Sequence, residues 1–179
     1  NPRMVLKCED FILRNSLKKK IKSEINNGLT LSCNQDFLQV IRSCAEPRNG
    51  QESSWITGEI IDSYYDLHKQ GISHSIEVWK DQELVGGLYV ISIGKMVFGE
   101  SMFSKRNDAS KIALTALVKW LIKNRGEIID CQQDTPHLAS LGAKPIPRKK
   151  FEAINKKLTK EPEFPWGNNP ISTEILYQV

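Results

Sequence analysis

The sequence lacks the spacings that metal and disulfide chemistry require. Its four cysteines (Cys8, Cys33, Cys44 and Cys131) form no C-x-x-C pair, which reads as free thiols rather than a disulfide framework or a zinc site. Only three histidines are present, and His68 and His74 stand too far apart for an i,i+4 helical pair of ligands. No apolar run approaches the roughly 20 residues of a membrane-spanning helix. The start, Asn1-Pro2-Arg3-Met4-Val5, has no signal-peptide layout and no initiator Met. The expectation is a cytoplasmic protein without metal, cofactor or membrane partner, read from a sequence whose native start lies further upstream. Internal repeats and low-complexity linkers are also missing, which favours a single domain over residues 1–179 with a core at about 29–160.

What is present is ordinary in amount and uneven in placement. Of the 179 residues, 40% are hydrophobic and 26% charged, the balance of a globular chain that can bury a core. Net charge is only +4, yet Arg14, Lys18, Lys19, Lys20 and Lys22 fall within nine positions with no acid among them. Charge runs are usually solvated faces. This one, on a helix, is the candidate surface for nucleic-acid phosphates. A second run, Arg148 to Lys160, contains Glu152 and is weaker.

Periodicity predicts a strand at 4–6 and a helix at 12–26 with Leu13, Leu17, Ile21 and Ile25 as its buried stripe. A strand at 29–33, a helix carrying Phe37, Val40, Ile41 and Cys44, a polar loop from Pro47 to Ser54 and a helix at 57–69 follow. Strands at 75–79, 83–92 and 95–101, joined at Asp81-Gln82 and Gly94, predict an antiparallel meander. Then come a helix at 109–124 with Asp108 as its N-cap, a strand at 127–132, a short helix at 137–141 and a helix at 148–158. The extension from about 160 to 179 is rich in Pro, Gly and Asn and has weak periodicity. The fold expected is mixed α/β, N-acetyltransferase-like (GNAT-like), with a largely antiparallel central sheet flanked by helices.

Four blocks carry a resemblance. They are Ser73-His74-Ser75-Ile76-Glu77-Val78-Trp79 with Glu83-Leu84-Val85-Gly86-Gly87-Leu88-Tyr89, Phe98-Gly99-Glu100-Ser101-Met102-Phe103-Ser104, Ile129-Asp130-Cys131-Gln132, and His137-Leu138-Ala139-Ser140-Leu141-Gly142-Ala143 with Ile146-Pro147-Arg148. In this order and spacing they resemble the leucyl/phenylalanyl-tRNA–protein transferase family, from Asn1 to about residue 170. That family has a further N-terminal region bearing aromatic residues, and nothing here corresponds to it. The resemblance implies transfer of Leu or Phe, and Met less readily, from aminoacyl-tRNA to proteins that begin with Arg or Lys, which marks them for degradation.

The reaction is aminolysis of an ester. An α-amine with a pKa of about 7.7–8.0 is partly neutral in the cytoplasm, so the enzyme must chiefly juxtapose amine and carbonyl and stabilise the oxyanion. The resemblance gives Asp130 and Gln132 as the proposed catalytic pair. Two apart in a strand, they share one face, and on the residues alone a polar strand end is the favoured reading, since one acid and one amide form no catalytic motif. Glu100 is implied as the partner of the acceptor's cationic side chain, against an ordinary surface acid. Leu88, Val97, Met102, Leu117 and Ile129 fall where the family lines its aminoacyl pocket, although Leu117 and Ile129 are equally core positions. Trp55 matches a tryptophan placed near the terminal adenosine, or is a core residue. Gly58 stands where the family usually has a basic residue. Gly86-Gly87 suits close approach of a ligand or backbone, or a bulge. The tRNA surface expected is Trp55 with Arg14, Lys18, Lys19 and Lys22.

Two rivals remain. A noncatalytic RNA-binding module would use the same basic helix. An acetyl-CoA-dependent enzyme needs a glycine-bearing pyrophosphate loop, whereas Lys105-Arg106-Asn107-Asp108-Ala109-Ser110 has no glycine and carries an acid.

Overall fold

A computed structural model describes residues 2–47 and 54–177. The interior of the polar loop expected between Pro47 and Ser54 lies outside those residues. Eight strands among the described residues form one sheet: β1 (Arg3–Lys7), β2 (Thr30–Cys33), β3 (Ser73–Lys80), β4 (Glu83–Ile93), β5 (Met96–Ser104), β6 (Ile128–Gln132), β7 (Lys144–Ile146) and β8 (Asn169–Ile171), in the order β7-β1-β6-β5-β4-β3-β2-β8. The helices are α1 (Asn15–Asn26), α2 (Phe37–Ala45), α3 (Gly58–Lys69), α4 (Ala109–Lys123), α5 (Pro136–Ser140) and α6 (Arg148–Leu158). The sheet is antiparallel except between β5 and β6, where α4 carries the chain back so that the two strands run parallel. Among the described residues no helix is long and apolar enough to cross a membrane.

Alternation along the strands separates two layers. Leu88 and Val90 point into the core shared with α4 and α1, while Tyr89 between them points to α2 and α3. On that second side α6 closes over Val5, Met96 and Ile128 with Phe151. The β3–β4 hairpin turns at Asp81 and Gln82, whose φ values of 51° and 66° are those of a type I′ turn. Gly86 serves packing against backbone: an added Cβ would stand 2.4 Å from the Ala109 Cβ and 2.8 Å from its carbonyl carbon. Gly86→Ala is therefore expected to push α4 off the sheet and cost about 1–3 kcal/mol. An unchanged denaturant midpoint would contradict that reading.

Three local expectations need correction. The first helix begins at Asn15, not residue 12, because Ile12 N–H is committed to the Leu141 carbonyl at 3.0 Å and Arg14 is extended. Asp108 precedes α4 but does not cap it. Its φ is 66°, and its carboxylate is divided between Lys111 at 2.6 Å and Lys20 at 3.2 Å. The first-turn N–H of Ser110 is instead accepted by Ser104 Oγ at 2.7 Å. β7 and β8 were not anticipated: each has three residues and a proline (Pro145, Pro170), too short for a period and suited to sheet edges.

His74 fastens the C-terminal segment. Its ring stacks on Trp166 at 4.4 Å, Nε2–H donates to the Gly71 carbonyl at 3.0 Å and Nδ1 accepts from Asn34 Nδ2 at 3.0 Å. Burial lowers its pKa to about 4. The folded state thus favours the neutral ring: this contribution is complete above the unfolded pKa of about 6.5 and is lost as pH falls towards 4. The unfolding free energy is expected to drop by about 3 kcal/mol over that window. His74→Gln should remove that part of the slope in urea titrations repeated at each pH.

Candidate active site

The site arises where the parallel pair comes apart. β5 and β6 are in register only at Val97↔Ile129 and Phe98↔Asp130. Beyond them β5 stays with β4 while β6 stays with β1, so the strands diverge over a cleft of about 630 Å³. Gly99 to Met102 form one bank, and Cys131, Gln132 and Gln133 the other. Trp55, 55% exposed, stands at the rim. This rules out the core reading of that residue.

A second cavity of about 120 Å³ adjoins this cleft and shares Gly99 to Met102, Cys131 and Leu138 with it. Leu88, Met102, Leu117 and Ile129 line it, joined by Leu114 and Leu138. Leu114 lies one turn before Leu117 on α4, a spacing that could have announced it. Leu138, on the short helix α5, had no such signal. Val97 does not line the cavity. Register with Ile129 places it wholly within the core, and the wall begins at Gly99. The Cys131 thiol belongs to both cavities. Burial foremost, and then Asp130, pushes its pKa up to about 12, so it stays protonated at neutral pH.

Asp130 and Gln132 are not presented side by side. Asp130 is 0% exposed and lines neither cavity. The guanidinium of Arg3 binds its carboxylate through Nε at 2.8 Å and Nη2 at 2.7 Å, and itself lies 5.4 Å from the centre of the Phe151 ring. Asp130 Oδ1 also accepts the Gln132 backbone N–H at 2.9 Å, an Asx turn that holds Gln132 at φ 64°. Strand alternation stops there, and the amide turns into the cleft. Gln132 Nε2 donates to the Gly99 carbonyl at 2.9 Å, bridging the two banks and leaving Oε1 as an acceptor. Arg3 was not singled out from the sequence, since nothing local links it to a residue 127 positions away.

Glu100 is the extra residue of a bulge. Tyr89 faces Ser101 and Val90 faces Gly99, so Glu100 has no partner on β4 and turns towards the cleft. Tyr64 of α3 donates its phenol O–H to Glu100 Oε2 at 2.8 Å. No ion pair engages Glu100 among the described residues. Arg14, Lys18, Lys19 and Lys22 are exposed on or beside α1, whereas Lys20 is tied to Asp108. None of these lines the cleft. Lys119 of α4 lies close enough to Lys18 for that charge to join burial in lowering its pKa, so the basic face extends onto α4.

Fold and site together define an α/β protein in which an apolar cavity adjoins a polar cleft holding the Gln132 amide and the Glu100 carboxylate. The chain belongs to the leucyl/phenylalanyl-tRNA protein transferase family, whose profile matches residues 5–156. Similar proteins bearing the name leucyl/phenylalanyl-tRNA–protein transferase include one from Burkholderia pseudomallei, 48% identical over 170 residues that cover 93% of this chain and 66% of that protein. Another, from Paraburkholderia phytofirmans, is 46% identical over 168 residues, covering 93% and 69% respectively. The chain thus spans about two thirds of the length of these relatives. A solved structure described as a functionally unknown conserved protein from Staphylococcus epidermidis matches with a TM-score of 0.51 at 11% identity, covering 81% of this chain and 57% of that one. This likeness concerns the fold alone.

Proposed function

We propose that the chain moves Leu or Phe, and Met less readily, from aminoacyl-tRNA to the N-terminal α-amine of proteins beginning with Arg or Lys, creating a degradation signal. The observation that carries this reading is the junction of an apolar cavity of about 120 Å³ with a polar cleft holding Gln132 and Glu100. The donor's side chain enters the cavity, which puts its ester carbonyl at the junction. The acceptor's amine donates to Gln132 Oε1, and its first side chain, Arg or Lys, meets Glu100. Amine attack forms the C–N bond, the ester C–O bond breaks, and the ribose hydroxyl leaves with the proton. An ester needs no further activation, so no cofactor is called for. Asp130 acts through Gln132, by holding it in its turn, and is a positioning residue.

Trp55 at the rim is suited to stacking on the terminal adenosine, and Arg14, Lys18, Lys19 and Lys22 to following tRNA phosphates. We take the fold as N-acetyltransferase-like, since one parallel strand pair that splays over the site is what an acyl-transfer cleft needs. One sheet runs through all three clusters of buried apolar residues, which favours a single domain. Charged tRNA places the reaction in the cytoplasm.

The test mixes the chain with tRNA carrying labelled Leu or Phe and peptides beginning Arg, Lys or Ala. Label on the Arg and Lys peptides only is expected. Binding of tRNA without transfer from any charged form would reject the enzyme and leave an RNA-binding module.

A further inference from the structure

We propose that Leu138 sets the size limit of the donor pocket, and with it a preference for leucine over phenylalanine. This inference rests on the reading that the donor's side chain enters the small cavity, and goes beyond it by naming the wall that decides which side chain fits. The cavity measures about 120 Å³. An apolar cavity of about 150 Å³ takes a benzene ring. The smaller isobutyl group of leucine therefore enters this one as it stands, whereas a benzyl group needs a wall to give way.

Most of the walls do not. Leu88 on β4, Leu114 and Leu117 on α4 and Ile129 on β6 are at most 6% exposed and belong to the main core, where moving one displaces its neighbours. The two large apolar side chains that line both the cavity and the open cleft are Met102 and Leu138, each half-buried against that core. They form the partition between the two hollows.

The two differ in stiffness. Met102 is unbranched and reshapes itself around what it meets. Leu138 is branched, and its backbone is fixed. Its N–H donates to Thr135 Oγ1 at 3.2 Å, and its carbonyl accepts the N–H groups of Leu141 at 3.0 Å and Ala143 at 3.1 Å. Just past α5, Gly142 lies so close to the Asp10 backbone that an added Cβ would stand 2.1 Å from its carbonyl oxygen. The helix is thus pinned, and a benzyl group has to swing the Leu138 side chain out into the cleft at the cost of its packing. Shortening Leu138 joins the two hollows and removes that cost.

Calorimetric titration of the full chain with stable amide analogues of leucyl-, phenylalanyl- and alanyl-adenosine tests this by binding and does not depend on turnover. The native chain is expected to bind the leucyl analogue about tenfold more tightly than either of the others. Leu138→Ala should shift the phenylalanyl-to-leucyl affinity ratio about tenfold towards phenylalanyl. Leu138→Met, which keeps the volume and loses the branch, should shift it the same way by about threefold, and it keeps the test open should the alanine variant fold poorly. A native chain that prefers leucyl to alanyl, with a phenylalanyl-to-leucyl ratio that neither variant moves, would overturn the role of Leu138 and leave the donor cavity standing. Equal native affinities for the leucyl and alanyl analogues would overturn the donor reading of the cavity and this proposal with it.

Discussion

Arg3→Ala is expected to lower the unfolding free energy by about 3–5 kcal/mol, because it strands the Asp130 carboxylate inside the protein. Asp130 is 0% exposed, and Arg3 supplies its cation through two nitrogens. Among the described residues, the variant leaves only the Gln132 backbone N–H on that carboxylate. The reverse change should be milder. The Arg3 side chain is 28% exposed and can turn to water, and in Asp130→Asn the amide oxygen can still accept from Gln132. Combining the two changes removes both charges and is expected to recover more than half of the Arg3→Ala loss. Chemical denaturation of the three variants decides the matter, since an additive double variant would mean that the pair does not interact.

Gln132→Ala is expected to slow transfer about a hundredfold, with little change in KM for either substrate. One positioned polar group acting on the reacting atoms is worth about 10²–10³ in rate. Alanine removes both the Oε1 acceptor and the bond to the Gly99 carbonyl that spans the cleft. A rise in the peptide's KM at constant kcat would instead make Gln132 a binding group with no role in the chemical step.

Where a side chain's surroundings repeat along the chain, the sequence announced them. The meander and α4 were readable because their apolar periods are long and the polar pair Asp81-Gln82 breaks two apolar runs. Leu88, Met102, Leu117 and Ile129 were assigned from the resemblance, and all four line the small cavity, whose role is the proposal made above. Val97 was assigned from the same resemblance and does not line the cavity, since it pairs with Ile129 inside the core before the wall opens at Gly99. Asp130 and Gln132 were expected on one face, and the Asx turn at Gln132 broke the alternation that expectation used. Two contacts were out of reach. Arg3 meets Asp130 through the pairing of β1 with β6, and Tyr64 meets Glu100 through the packing of α3 under a bulge. Both depend on long-range register, which no local pattern in this chain encodes.

The central claim is that the diverging ends of β5 and β6 form the aminoacyl-transfer centre. A crystal structure of the chain with a stable amide analogue of leucyl-adenosine tests it most directly. The leucyl side chain is expected among Leu88, Met102, Leu117 and Ile129, with its carbonyl at the junction beside Gln132 and the adenine against Trp55. Density for the analogue elsewhere, with that cavity unoccupied, would contradict the account.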